Sequence, residues 1–116
     1  MCERSEHMSD SGSWITALRR LAVYLRDGFC CVYCERDLHN VRPSEITLDH
    51  VRATGAGHRG ADHSNHNIVT ACSQCNSSKK DRTLATFAND AAKRRVRNAL
   101  RRKVNVALAR SIIASR

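Results

Sequence analysis

The chain has 116 residues, six cysteines and a formal net charge of +9, with only two Phe, two Tyr and one Trp. So short a chain with so few aromatics excludes a large apolar core. One small domain with extensions is expected, held together by more than burial. No apolar leader stands near the start, and no run reaches the roughly 20 residues that a bilayer-spanning helix needs, so a cytoplasmic protein without a membrane partner is expected.

Residues 1–12 are polar and read as a flexible segment; Cys2 and His7 carry no signal there. Ser13 can cap a helix with Trp14, Leu18, Leu21, Ala22 and Leu25 on one face, ending near Asp27-Gly28. A Cys31-Val32-Tyr33-Cys34 knuckle follows, and His39 beyond it carries no signal. The runs "ITLDHV" and "NIVTAC" read as two short strands. Between them lies "GAGHRGADHSNHN", whose Gly, Asn and Ser content suits a connection better than a ligand frame for His58, His63 and His66; His58 and Arg59 are weak candidates for DNA-backbone contact. A second knuckle, Cys72-Ser73-Gln74-Cys75, runs into Asn76, and a helix starting near Cys75 completes a ββα unit with Asn76 in its first turn. The expected organisation is a flexible segment at 1–12, a domain at 13–90 and a basic helical extension at 91–116.

Charge is unevenly placed. Residues 1–90 hold eleven basic and eleven acidic side chains, whereas residues 91–116 hold nine basic and none acidic. The tail reads as one basic amphipathic helix, with Val96, Leu100, Val104, Leu108 and Ile112 at four-residue spacing and Lys93, Arg94, Arg95, Arg97, Arg101, Arg102 and Lys103 crowding its first half. Such a run is often a solvated face, and it also suits a membrane surface or a partner. The Ile112-Ile113 end suits core packing better than a dimer contact.

The two CxxC steps carry the strongest chemical signal. Four thiolates suit zinc, which has no redox chemistry and accepts tetrahedral sulfur. The competing reading is a pair of disulfides, which a reducing cytosol disfavours. Cys30 abuts Cys31 and could replace it as ligand, but Cys31 with Cys34 repeats the spacing of Cys72 with Cys75. An ordinary zinc ribbon separates its pairs by roughly 15 to 20 residues. Here a longer insert intervenes, and it contains Asp49-His50. An imidazole that titrates near neutrality makes His50 a candidate general base. Asp49 and Asn76 offer hard oxygen donors that suit Mg²⁺ or Mn²⁺. Neighbouring strand residues face opposite ways, so a bulge or strand end is expected at Asp49-His50; a regular strand would make Asp49 a supporting partner more than a ligand.

The ordered set "RDGFCCVYC", "ITLDHV" and "HNIVTACSQCNSSKKDRTL" resembles the HNH nuclease family, in its zinc-clamped branch whose last His is replaced by Asn. The resemblance implies an α+β fold built on a ββα-metal module, a structural zinc on Cys31, Cys34, Cys72 and Cys75, and one catalytic Mg²⁺ or Mn²⁺ on Asp49 and Asn76. It further implies His50 as general base and products with 5′-phosphate and 3′-hydroxyl ends. Asn67 would pin the loop and orient His50, although an ordinary turn Asn reads as well. Lys79 would touch a phosphate, with a solvated helix lysine as the alternative. Three positions depart from the family pattern: Ala53 stands where a Pro is common, Gly55-Ala56-Gly57 where paired Gly occur, and Lys80 where Gly often follows the lysine.

The function expected is hydrolysis of DNA phosphodiester bonds, with the tail supplying most of the affinity through counterion release and little sequence preference. Deletion after Asp90 is then expected to weaken binding and leave the active site formed. The alternatives are a non-catalytic zinc-stabilised nucleic-acid-binding module, an RNase, or a nuclease activated by a partner; a homodimer is also compatible with the sequence.

Overall fold

The computed structural model describes residues 15–52, 64–80 and 82–115. The segment read as flexible, the Ser13 cap and Trp14, and the positions Ala53, Gly55-Ala56-Gly57, His58, Arg59 and His63 lie outside the described residues.

Helix α1 (Ala17–Arg26) starts at Thr16, whose hydroxyl accepts from the Arg19 amide at 3.1 Å. It ends where the Asp27-Gly28 pair indicated. Gly28 (φ +67°) and Phe29 (φ +54°) then turn the chain through two left-handed residues into the first knuckle. Strand β1 (Ile46–His50) pairs antiparallel with β2 (Ile68–Cys72), and helix α2 (Ser73–Lys79) follows at once. Helices α3 (Leu84–Phe87), α4 (Asp90–Arg101) and α5 (Val106–Ala114) complete the chain. The α+β class and the ββα unit are those the sequence indicated. Asn76 sits two residues deeper in the helix than expected, because the helix begins at Ser73 with Cys72 as its cap.

The register runs without a bulge from Ile46↔Cys72 to His50↔Ile68. The distortion expected at Asp49-His50 therefore does not occur. Regular alternation places Leu48, His50, Ile68 and Thr70 on one face and Thr47, Asp49, Val69 and Ala71 on the other. Leu48 and Ile68 pack with Ile15, Val23 and Tyr24 on the α1 side. On the opposite side Val69 and Ala71 join Cys31, Tyr33, Leu38, Val96 and Ala99.

The outer edge of β2 is closed by polar groups rather than by a third strand. Arg26 and Asp27 form a bidentate pair at 2.8 and 3.1 Å, with both side chains fully buried. Arg26 also donates to the carbonyls of Ile68 (2.6 Å) and Asn65 (3.0 Å), while Asp27 accepts from the Thr70 amide at 2.8 Å. The Val32 amide takes the Thr70 carbonyl at 3.0 Å. One ion pair thus fastens the end of α1 to the strand that leads into the second knuckle.

The tail differs from the single helix expected. It breaks between Arg101 and Val106, where Val104 turns into the α1-side cluster and Asn105 caps a new helix by accepting from the Leu108 amide at 2.9 Å. Its first half belongs to the core: Val96 and Ala99 are buried against the sheet, and the Arg95 guanidinium donates to the Val32 and Tyr33 carbonyls at 2.9 and 2.6 Å. Its second half lies along α1 with Ala109 buried, and Leu108 and Ile113 stay 45% and 41% exposed. Of the Ile112-Ile113 end expected to pack, Ile112 is half-buried and Ile113 exposed, while the buried residue of this helix is Ala109. Among the described residues no helix is long and apolar enough to cross a membrane.

Two outcomes follow from this packing. Asp27→Ala leaves a buried, unpaired guanidinium and is expected to cost about 3 to 5 kcal/mol, read as a lowered urea midpoint. A chain ending at Asp90 lacks Val96, Ala99 and the Arg95 clamp, so it is expected to lose cooperative unfolding, contrary to the intact active site anticipated from sequence; circular dichroism melting tests this.

Candidate active site and metal centre

The metal centre grows from two tight turns. In each, the amide of the second cysteine points at the sulfur of the first: Cys34 N to Cys31 Sγ at 3.5 Å and Cys75 N to Cys72 Sγ at 3.3 Å. The second of these bonds is also the N-cap of α2, so one sulfur both starts the helix and faces the cluster. The four sulfurs of Cys31, Cys34, Cys72 and Cys75 all lie within 4.8 Å of one another. Cys34 and Cys72 are 3.8 Å apart, close to the edge of about 3.8 Å that a tetrahedron with 2.3 Å zinc–sulfur bonds requires, and far beyond a disulfide bond of about 2.05 Å.

Cys30 stays outside this cluster, bridged through its backbone to Asp37, which settles the register in favour of Cys31. Burial pushes the Cys31 thiol up, and burial together with the neighbouring Cys31 charge pushes Cys75 well up. Burial alone would raise Cys72 as well, but the Cys75 amide and the adjoining thiols outweigh it and bring that sulfur below the ordinary thiol range. Four sulfurs so close cannot all ionise without a cation among them, and a thiophilic metal supplies it. Cys34 is exposed, so the centre is open to a chelator from one side.

Helix α2 lies against the Thr47–Asp49 face of β1. Asn76 Nδ2 donates to Thr47 Oγ1 at 2.9 Å and to the Leu48 carbonyl at 3.2 Å, bonds that do not use its Oδ1. One turn on, Lys79 is neither solvated nor placed to meet a phosphate, which corrects both readings of it. Its side chain is 0% exposed, with Nζ 2.9 Å from the His50 carbonyl and 3.2 Å from Asp49 Oδ2. That same carboxylate oxygen accepts from the Tyr33 hydroxyl at 2.5 Å. Burial raises the Asp49 pKa above the ordinary carboxylate value, against the opposing pull of Tyr33 and Lys79. Burial and the Asp49 charge push the Tyr33 phenol far up, so it remains a proton donor.

His50, the last residue of β1, is buried on the face opposite Asp49. Beyond it, Asn67 is buried at the mouth of the hairpin. Its Oδ1 accepts from the Arg52 amide at 2.8 Å, its Nδ2 donates to the Arg52 carbonyl at 3.4 Å, and its own carbonyl takes the Val51 amide at 2.8 Å. The chain leaving His50 is thereby tied to the chain entering β2. Of the other histidines described, His66 lies in the 3₁₀ turn Asn65–Asn67, and His39 pairs with Asp37 at 2.6 Å and stacks on Phe29.

The basic residues of the tail divide by face. Ala92, Val96 and Ala99 point inward, and Arg94, Arg97 and Arg101 recur on the opposite, exposed side of α4. Arg102 and Lys103 are exposed just beyond it, and Lys93 is half-buried. Arg95 departs from this set, because its guanidinium holds the knuckle carbonyls and meets Glu35 at 3.6 Å. Sequence reasoning passed over the roles of Tyr33, Arg95, Arg26 and Asp27. A Tyr between two clustered cysteines was the only available hint.

Residues 31–82 match the family model for HNH endonuclease. This segment runs from the first cysteine of one knuckle past the end of α2 and contains the whole constellation. Over this segment the chain is similar to HNH endonucleases, and the four cysteines, positioned to bind a metal ion, are consistent with a zinc-clamped form of that module. No curated protein matches the chain.

Structural metal in such a cluster typically contributes about 10 to 16 kcal/mol of apparent free energy. Net domain stability is about 5 to 15 kcal/mol. Removing the metal with a strong chelator is thus expected to unfold the module, with circular dichroism following the loss and metal analysis counting one ion per native chain. An unchanged spectrum after complete removal would contradict a structural role.

Proposed function

We propose that the protein is a metal-dependent endonuclease that hydrolyses DNA phosphodiester bonds. Zinc sits among Cys31, Cys34, Cys72 and Cys75, and Asp49 and Asn76 hold one Mg²⁺ or Mn²⁺. The observation that carries this reading is the laying of α2 across the Thr47–Asp49 face of β1 within a segment matching the HNH family. This lays the helix that carries Asn76 against the face of β1 that carries Asp49. Oδ1 of Asp49 is the ligand atom in this reading, because the Tyr33 and Lys79 contacts both fall on Oδ2. A bound divalent ion supplies charge that stabilises the phosphorane and the departing oxygen.

The regular strand sets Asp49 and His50 on opposite faces, the case in which the sequence favoured Asp49 as a supporting partner, so ligation by Asp49 in this reading rests on its Oδ1 and not on a face shared with His50. In an in-line displacement the attacking and leaving oxygens stand on opposite sides of phosphorus, so a base and the leaving-group charge need separate positions. His50 takes a proton from water as the water oxygen bonds to phosphorus. The bond from phosphorus to the 3′ oxygen breaks, and that oxygen takes a proton from solvent water, leaving 5′-phosphate and 3′-hydroxyl ends. Asn67 holds the backbone just after His50 and so fixes the base. Lys79 acts from within, joining Asp49 to the His50 carbonyl.

DNA is attracted by the outer face of α4 with its continuation, through Arg94, Arg97, Arg101, Arg102 and Lys103, with Lys93 at the margin. Such contacts hold phosphates without reading bases.

Supercoiled plasmid with Mg²⁺ or Mn²⁺ is expected to be cut by the wild type and left intact by His50→Ala at matched zinc content. Equal background from both proteins, with the plasmid still retarded on a gel, would favour a non-catalytic binding module. The same assay on RNA separates a DNase from an RNase. Replacing Arg94, Arg97 and Arg101 together by Gln is expected to leave the melting temperature unchanged and to lower the salt slope of binding by about one per lost phosphate contact. An unaltered slope would remove α4 from the interface.

A further inference from the structure

We infer that Tyr33 is a positioning residue for Asp49, linking the cysteine centre and the basic helix to the carboxylate of the proposed catalytic ion site; the inference rests on that reading of Asp49. A zinc knuckle needs its two cysteines and a tight turn, and nothing in that requirement calls for a buried tyrosine between them. Tyr33 is nevertheless buried, with its hydroxyl 2.5 Å from Asp49 Oδ2, at the short end of hydrogen bonds to a carboxylate.

Its ring packs on one neighbour and its backbone is tied down by others. Phe87 meets it edge-on at 5.2 Å and 90°. Arg95, reaching in from α4, bonds the Tyr33 carbonyl at 2.6 Å and the Val32 carbonyl at 2.9 Å. Cys31 and Cys34 flank it two residues and one residue away, both in the four-sulfur cluster. A phenol so restrained is a fixed peg.

The consequence falls on the orientation of Asp49. Tyr33 and Lys79 converge on Oδ2, at 2.5 and 3.2 Å. While both bonds hold, the carboxylate cannot rotate about its terminal torsion, and the direction of Oδ1 is set. Lys79 alone, its Nζ shared with the His50 carbonyl, gives Oδ2 one longer contact, and one contact does not fix the rotation of the carboxylate. Oxygen-only loss at Tyr33 therefore frees the carboxylate without unpairing its charge, whereas loss of Lys79 would leave the carboxylate buried without its counter-charge.

The test is Mn²⁺ binding by zinc-loaded protein without DNA, read from the paramagnetic resonance of free Mn²⁺, for the wild type, Tyr33→Phe and Asp49→Asn. Partners that orient a metal ligand typically contribute about tenfold or more to affinity. Tyr33→Phe is expected to weaken Mn²⁺ binding about tenfold with zinc content unchanged. Its cleavage should be restored at correspondingly higher Mn²⁺, which a general loss of folding would not permit. If Asp49→Asn abolishes Mn²⁺ binding and Tyr33→Phe leaves it unchanged, the inference is overturned while the proposed function stands. If the wild type binds no Mn²⁺, or Asp49→Asn binds as the wild type does, Asp49 is not a ligand and both fall together. Should Tyr33→Phe lose zinc, a ring-fluorinated tyrosine placed at position 33 changes the acidity of the hydroxyl while keeping the ring. Mn²⁺ affinity is again expected to shift, and an unchanged affinity overturns the inference.

Discussion

The closure of four sulfurs between two distant knuckles is the constraint on which the rest of this protein depends. Cys72 ends β2, caps α2 and faces the cluster, so the metal centre sets where the helix begins and with what phase. Helical geometry then decides the remainder: Asn76 falls one residue after Cys75, and Lys79 one turn later on the same face. Both side chains meet β1 because the sulfur cluster aims the helix at it. In a chain with so little aromatic bulk, covalent-strength bonds to a cation would do what a larger apolar core does elsewhere.

Buried polar pairs supply the second level of specification. Arg26 with Asp27 seals the outer edge of β2, and Lys79 with Asp49 ties α2 to β1. Each charge is matched, and each pair also satisfies backbone carbonyls or amides, the condition under which buried ions are tolerated. One pair lies at the outer edge of β2 and the other on a face of β1, so the hairpin is gripped from its rim and from its face. Tyr33 and Arg95 extend that grip to the first knuckle and to α4.

Much of this arrangement was legible in the sequence. Two CxxC steps, an Asp-His step and a following Asn in fixed order disclosed the ββα unit and the four-cysteine cluster, because metal chemistry restricts residue type and spacing together. What stayed hidden depends on three-dimensional convergence. Lys79 looks like any helix lysine in a basic chain, and only the depth of the α2–β1 contact reveals its burial. The four-residue repeat from Val96 to Ile112 predicted one helix, yet Asn105 offers a local cap that competes with continuation, and Val104 gains burial by turning toward α1. The regular strand at Asp49-His50 shows the converse: a bulge was inferred from an assumed shared metal, while the register was set by the cross-strand packing of Leu48, Ile68 and Val69.

Helix α4 has one face in the core and the other lined with arginines. On the proposed reading a polyanion engages that outer face, and occupancy and folding would then be linked equilibria. A ligand that engages only the folded form adds free energy to it by mass action, about 2.7 kcal/mol at a hundredfold excess over Kd. A helix shared in this way would make the protein sturdier when loaded than when free, and high salt, by weakening the grip on phosphate, would withdraw that extra stability first.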